Sequence, residues 1–94
     1  MLSTIPADLS KLSKASLNQE LLRIGIIAEL DAINLYEQLA ALTDNADIKK
    51  VFLDIAKEEK THVGEFQTML LRLDKEQVEE MKHAQKEIKE LTGK

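Results

Sequence analysis

Glu29, Glu59 and His62 are the residues whose types and placement could do chemistry together. Glu59 and His62 lie in EEKTH, residues 58–62, inside a run whose apolar residues recur at helical spacing. At about 100° per residue, Ile48, Phe52, Ile55, Phe66, Met69, Leu70 and Leu73 point within roughly 60° of one direction, and Glu59 and His62 point the same way. A preceding helical run carries the stripe Leu22, Ile26, Ile33 and Ala40 with one acidic intruder, Glu29, and with Tyr36 nearly in line about two turns on. Each predicted helix therefore aims an out-of-place polar group at its packing face.

Level along the chain sharpens this. Glu29 and Glu59 are equally far in sequence from Asp44, which sits in TDNAD, a stretch of turn and cap residues. If the two helices are antiparallel, the two carboxylates face each other, and His62 stands one turn from Glu59 on the same face. Two carboxylates and an imidazole converging in an apolar interior cost on the order of several kcal/mol unless a cation neutralises them. Mixed oxygen and nitrogen donors suit iron or manganese and tolerate zinc.

A lone Glu-x-x-His on a helix is a weak sign, and a solvated ion pair is its ordinary meaning. The sequence holds its own comparison in Glu80 and His83. There the apolar direction is set by Val78, Met81, Ile88 and Leu91, and His83 lies about 150° away from it, so that pair is expected in solvent. Asp31, Glu58 and Glu65 are candidates to flank the centre or feed metal to it, although a charged rim accounts for each. Tyr36 reads first as a core aromatic with a hydrogen-bonded hydroxyl, close enough to Glu29 to contact the centre.

The elements that must hold these residues follow from local signals. SLNQ at residues 16–19 is a capping box that starts a helix running to about Thr43. Asn45 or Asp47 can cap a second helix to about Leu73, and DKEQ at 74–77 opens a third that Gly93 ends. The first two helices are about 40 Å long and joined by a short connection, so they form an antiparallel hairpin. Residues 1–15, with Pro6 and no sustained period, read as a loosely ordered arm ahead of one helical domain, 16–94.

Composition narrows the function. The 94 residues include no cysteine, which removes disulfides, thiolate zinc and iron–sulfur clusters. A net charge of −4 argues against nucleic acid. Neither a signal segment nor an apolar run of membrane-spanning length is present, which suggests a cytoplasmic location. A chain this short buries only about 60% of its unfolded surface, so self-association is expected.

Di-iron carboxylate bundles take one Glu from each of two helices and a Glu-x-x-His from each of the other two. This chain supplies one of each, so a complete site requires two copies of the hairpin, dimerising into an all-α four-helix bundle. The first helix supports this, because Leu21, Ile24, Leu35, Leu39 and Leu42 widen its apolar arc beyond what one partner helix covers.

IIAELDAINLYEQLA followed by FLDIAKEEKTHVGEF resembles the encapsulated ferritins, including the ferritin-like domain fused to some archaeal encapsulin shells. The resemblance covers nearly the whole chain. It implies that Glu29, Glu59 and His62 are the iron ligands of a ferroxidase centre shared between two subunits, with Tyr36 beside it. It further implies a homodimer as the minimal unit, an annular decamer, and Fe(II) oxidation inside an encapsulin nanocompartment whose shell stores the mineral. Two departures stand out. Many standalone members end in a short apolar tail that docks on the shell interior, whereas this sequence reads KEIKELTGK, as expected of a domain cut from a fusion or of a member that loads differently. The acid often found just before the bridging Glu is Ala28 here.

The expected function is thus a ferroxidase with dioxygen as oxidant. A rubrerythrin-like di-iron peroxidase is disfavoured by the missing cysteines, since no rubredoxin centre is available to deliver electrons. A non-catalytic helical adaptor, its polar core residues serving only to set register, is the reading from another class.

Overall fold

Three helices occupy residues 16–94, the part of the chain that the computed structural model describes: α1 (Leu17–Leu42), α2 (Ala46–Leu73) and α3 (Lys75–Thr92). The arm expected at residues 1–15 lies outside the described residues. Helices α1 and α2 pack along their lengths as the expected hairpin, while α3 touches α2 alone and only lightly.

The ends of the helices show why the chain breaks where it does. Asn45 Oδ1 accepts from the amides of Asp47 and Ile48, both at 3.0 Å, which starts α2. Asp74 Oδ1 accepts from the Gln77 amide at 3.0 Å and starts α3. Gly93, at φ 75°, takes the left-handed position that stops it. The capping box predicted at Ser16 does not form. Its hydroxyl meets the Glu20 carboxylate at 3.5 Å, and Gln19 Nε2 instead donates to the Leu73 carbonyl at 3.1 Å. A long-range partner at the far end of α2 has outcompeted the local one.

A second link closes the same end of the hairpin, where Arg23 Nη2 donates to Asp74 Oδ2 at 3.1 Å. Midway, the Phe66 ring lies against the bare backbone of Gly25. Nearer the turn, Tyr36 stacks on Phe52 with centroids 6.3 Å apart. These two residues are equidistant from Asp44, as the antiparallel pairing requires.

The hairpin leaves its apolar stripe half open. Among the described residues the buried hydrophobic side chains are Ile33, Ala40, Ala56 and Leu70, while Ile48, Met69 and Leu73, all in the predicted stripe, stay 44–45% exposed. Two helices cannot surround a side chain, so this face is a layer without its opposite layer. The Cα radius of gyration, 16.7 Å, exceeds the roughly 12 Å of a compact chain of this length, since α3 packs only lightly on the hairpin. Among the described residues no helix is long and apolar enough to cross a membrane.

Candidate metal centre

Helix α1 delivers Glu29 and α2 delivers Glu59 and His62 to one place on the hairpin. His62 Nδ1 stands 3.4 Å from Glu59 Oε2 and 3.5 Å from Glu29 Oε2. One ligand atom from each of the three residues lies within 4.8 Å of the others, and no other such group of three acidic or histidine side chains occurs among the described residues. The Glu59–His62 contact follows from helical geometry, because residues three apart share a face. The Glu29 contact needs the tertiary fold.

The distances leave room for a shared ion. A charge-assisted N–H to carboxylate bond is ordinarily about 2.7–2.9 Å, shorter than either separation here. Ligand atoms each about 2.1 Å from a metal sit roughly 3.0–3.5 Å from one another, close to what these atoms already adopt. Burial points the same way. The side chains of Glu29 and Glu59 are only 19% exposed, and Glu29 Oε2 is a buried carboxylate oxygen with no hydrogen-bond partner. A buried anionic oxygen without a donor is costly, and a cation shared with His62 removes the cost. Oxygen and imidazole donors together fit iron.

The remaining sequence candidates fall outside this group. Tyr36 spends its ring on Phe52. Asp31 is half-buried and engaged in an interaction of its own. Glu58 is exposed, and Glu65 is exposed beside an open hollow lined by Thr61, Gly64, Thr68 and Met69. Glu80 and His83 stand in solvent on α3, as their phase required. What sequence reasoning missed is the bracing around the group. Lys60 Nζ reaches Glu37 at 3.5 Å across the hairpin, and neither Arg23–Asp74 nor Gly25–Phe66 announces itself as a pair in the sequence. Gly25, a glycine inside an otherwise strong helical pattern, was the one available signal of a close approach.

Comparison with known proteins places the chain in a family. The rubrerythrin family model matches residues 20–93. The ferritin-like-encapsulin shell fusion protein of Pyrococcus furiosus is 60% identical over 74 residues, covering 79% of this chain and 21% of that protein. The encapsulin nanocompartment cargo protein EncC of Myxococcus xanthus is 39% identical over 72 residues, covering 77% of this chain and 55% of that protein. The chain thus spans a fifth to about half of the length of these relatives. The crystal structure of the encapsulated ferritin domain from Pyrococcus furiosus superimposes with a TM-score of 0.84 at 50% identity, over 100% of this chain and 98% of that one.

Proposed function

The chain belongs to the encapsulated ferritin family, and from that premise we propose that it is a ferroxidase, with Fe(II) as substrate, dioxygen as oxidant, and Glu29, Glu59 and His62 as the iron-binding residues. The observation that carries this is the buried Glu29 Oε2, unpartnered by any hydrogen bond and 3.5 Å from an imidazole nitrogen on the other helix. Iron is chemically suited to that donor set, and the hard anionic oxygens hold Fe(III) more tightly than Fe(II), which favours loss of the electron. Each Fe(II) yields one electron. Dioxygen accepts two with two protons to give hydrogen peroxide, or four with four protons to give water.

The chain's own residues divide the work. The two carboxylates neutralise the arriving cation and exclude weaker donors, while His62 contributes a neutral nitrogen. The His62 side chain remains 44% exposed, so the group is open on one side in a single subunit. A second hairpin related by a two-fold axis would close that side, cover the half-open stripe of Ile48, Met69 and Leu73, and supply the other half of a di-iron centre. On the same reading Asp31, Glu58 and Glu65 are candidate acids flanking or feeding the centre and Tyr36 is a candidate neighbour of it, although none of the four belongs to the ligand group itself. By analogy with the shell fusion and the shell cargo among its relatives, the protein acts inside an encapsulin nanocompartment, which stores the ferric product.

Aerobic Fe(II) oxidation followed by ferric absorbance tests the reading. The protein should exceed the uncatalysed rate, and Glu29→Ala should return it to that rate. Sedimentation should show a dimer or larger assembly when iron is bound. A Glu29→Ala variant that oxidises iron at the wild-type rate, or an iron-loaded monomer, would remove the assignment.

A further inference from the structure

We infer that Gly25 is a positioning residue for the metal group: its missing side chain sets the helix separation at which Glu29 and His62 can share one ion. This rests on the reading of Glu29, Glu59 and His62 as metal-binding residues. Gly25 precedes Glu29 by one turn of α1, and Phe66 follows His62 by one turn of α2. The ring of Phe66 lies directly on Gly25. A Cβ built there would come within 3.2 Å of both Cδ2 and Cε2 and 3.6 Å of Cζ, along one edge of the ring. Contacts of 3.2 Å are too close, so a methyl group at this point must displace the ring or part the helices by a few tenths of an ångström.

Where the helices rather than the ring give way, that displacement is large by the standard of a metal site. Ligand distances must hold to within about 0.2 Å, and the two separations that involve Glu29, to His62 and to Glu59, both depend on the spacing of α1 from α2. The Glu59–His62 pair travels with its own helix. On the turn side, the Tyr36–Phe52 stack braces the hairpin seven residues from Glu29 and from Glu59, so the group is held between two aromatic contacts. Only the Gly25 side is set by an atom that is not there.

A second glycine gives the control. Gly64 also lies within a long helix, α2, but a Cβ there would meet nothing within 4 Å. Helix propensity favours alanine over glycine at both positions. The two substitutions therefore share their local effect and differ in the contact with Phe66.

The experiment is a Co(II) titration of the full chain, read by visible ligand-field absorption, with melting curves of the metal-free proteins alongside. Gly64→Ala should bind Co(II) within twofold of wild type. Gly25→Ala should bind about tenfold more weakly, the scale at which residues behind the ligands act. Phe66→Leu, which opens the contact from the other side, should also weaken binding. The double variant Gly25→Ala/Phe66→Leu, in which the added methyl takes up the space the ring gives back, should recover to within threefold of wild type. That recovery is a result that a merely structural loss at either site would not produce. If Gly25→Ala does not fold, Phe66→Leu and the double variant still decide the matter. Gly25→Ala binding as tightly as Gly64→Ala, or a double variant no better than the weaker single, overturns the inference while leaving the metal assignment intact. Wild-type Co(II) binding no tighter than that of Glu59→Ala would overturn both.

Discussion

The chain contains the same four-residue motif twice, and the two copies have the same local geometry. His62 Nδ1 lies 3.4 Å from Glu59 Oε2 on α2, and His83 Nδ1 lies 3.4 Å from Glu80 Oε2 on α3. The pair itself, then, is only a consequence of helical spacing. What differs is the third partner. On α2 it is Glu29, carried in from α1 and mostly buried; on α3 it is Glu87 of the same helix, 3.3 Å from His83 Nε2, with all three side chains at least 60% exposed. A histidine held between two carboxylates on one solvated helix needs no ion, because water and the imidazole satisfy the acids. The Glu29 carboxylate, pressed into the seam between two helices, has an oxygen with no hydrogen-bond partner, and on the proposed reading an ion satisfies it.

The largest effect expected from this contrast is an all-or-none one. His62→Ala should abolish Fe(II) or Co(II) binding, whereas His83→Ala should leave the affinity unchanged within error, as measured by titration under identical conditions. Equal losses from both would mean that the two pairs are equivalent and that the tertiary partner adds nothing.

The contrast was legible in the sequence because phase and level are both simple consequences of helix geometry. The position of Glu29 opposite Glu59 follows from their equal distance to Asp44, and the exposure of His83 follows from its angle to Val78 and Met81. Asn45, Asp74 and Gly93 mark helix ends by local chemistry, so they too could be read directly. The failure at Ser16 has a physical cause. Gln19 could bond either back to its own helix or across to Leu73, and only the fold decides between them. Arg23–Asp74 and Gly25–Phe66 were hidden for the same reason, since each joins residues from opposite ends of the hairpin. Ala56, buried at 2%, escaped notice because a small side chain contributes little to an apolar stripe yet sits where the helices approach closely.

The next effect is thermodynamic. If the buried Glu29 oxygen is neutralised by metal, then metal should stabilise the folded assembly by RT ln(1 + [L]/Kd), or about 2.7 kcal/mol at a hundredfold excess over Kd. Melting curves with and without Fe(II) under anaerobic conditions measure it. Glu29→Ala should lose that increment, and its metal-free form should melt no lower than wild type, since the variant no longer buries an unpartnered carboxylate oxygen. The corresponding change on α3, Glu80→Ala, should leave the metal-dependent increment whole. A wild-type protein that gains nothing from metal would erase the distinction between the two motifs.

A smaller effect separates the turn from the packing as the source of register. Asn45 supplies both capping bonds at the start of α2, and Asn45→Ala should cost about 1 kcal/mol in chemical denaturation. Metal affinity should stay near wild type, because the facing of Glu29 and Glu59 is maintained by Phe66 on Gly25 and by Tyr36 on Phe52. If affinity falls in step with stability, the turn sets the level and the aromatic contacts merely follow it.

The smallest effect concerns the junction from which α3 departs, and it asks whether the α2 motif depends on α3 at all. The Asp74 carboxyl is held below the ordinary carboxylate range, chiefly by the Gln77 amide it accepts from; desolvation comes next and pushes the other way, and the Arg23 guanidinium adds to the lowering. Because the folded value is depressed, the stabilisation is fully present above the ordinary carboxylate range and is lost as pH falls through the lower, folded value. Asp74→Asn keeps a capping oxygen and removes the charge. Metal-free melting curves should therefore place wild type above the variant at neutral pH, with the gap closing as the solution is acidified below the ordinary range. At neutral pH the variant should bind Co(II) as wild type does, since α3 touches α2 only lightly and contributes no residue to the group. A gap that widens in acid would reverse the sign assigned to Asp74. Lost Co(II) binding would show that the seam holding Glu29 to His62 is fastened at this far end, through Arg23, and that the two motifs are coupled through the junction between their helices.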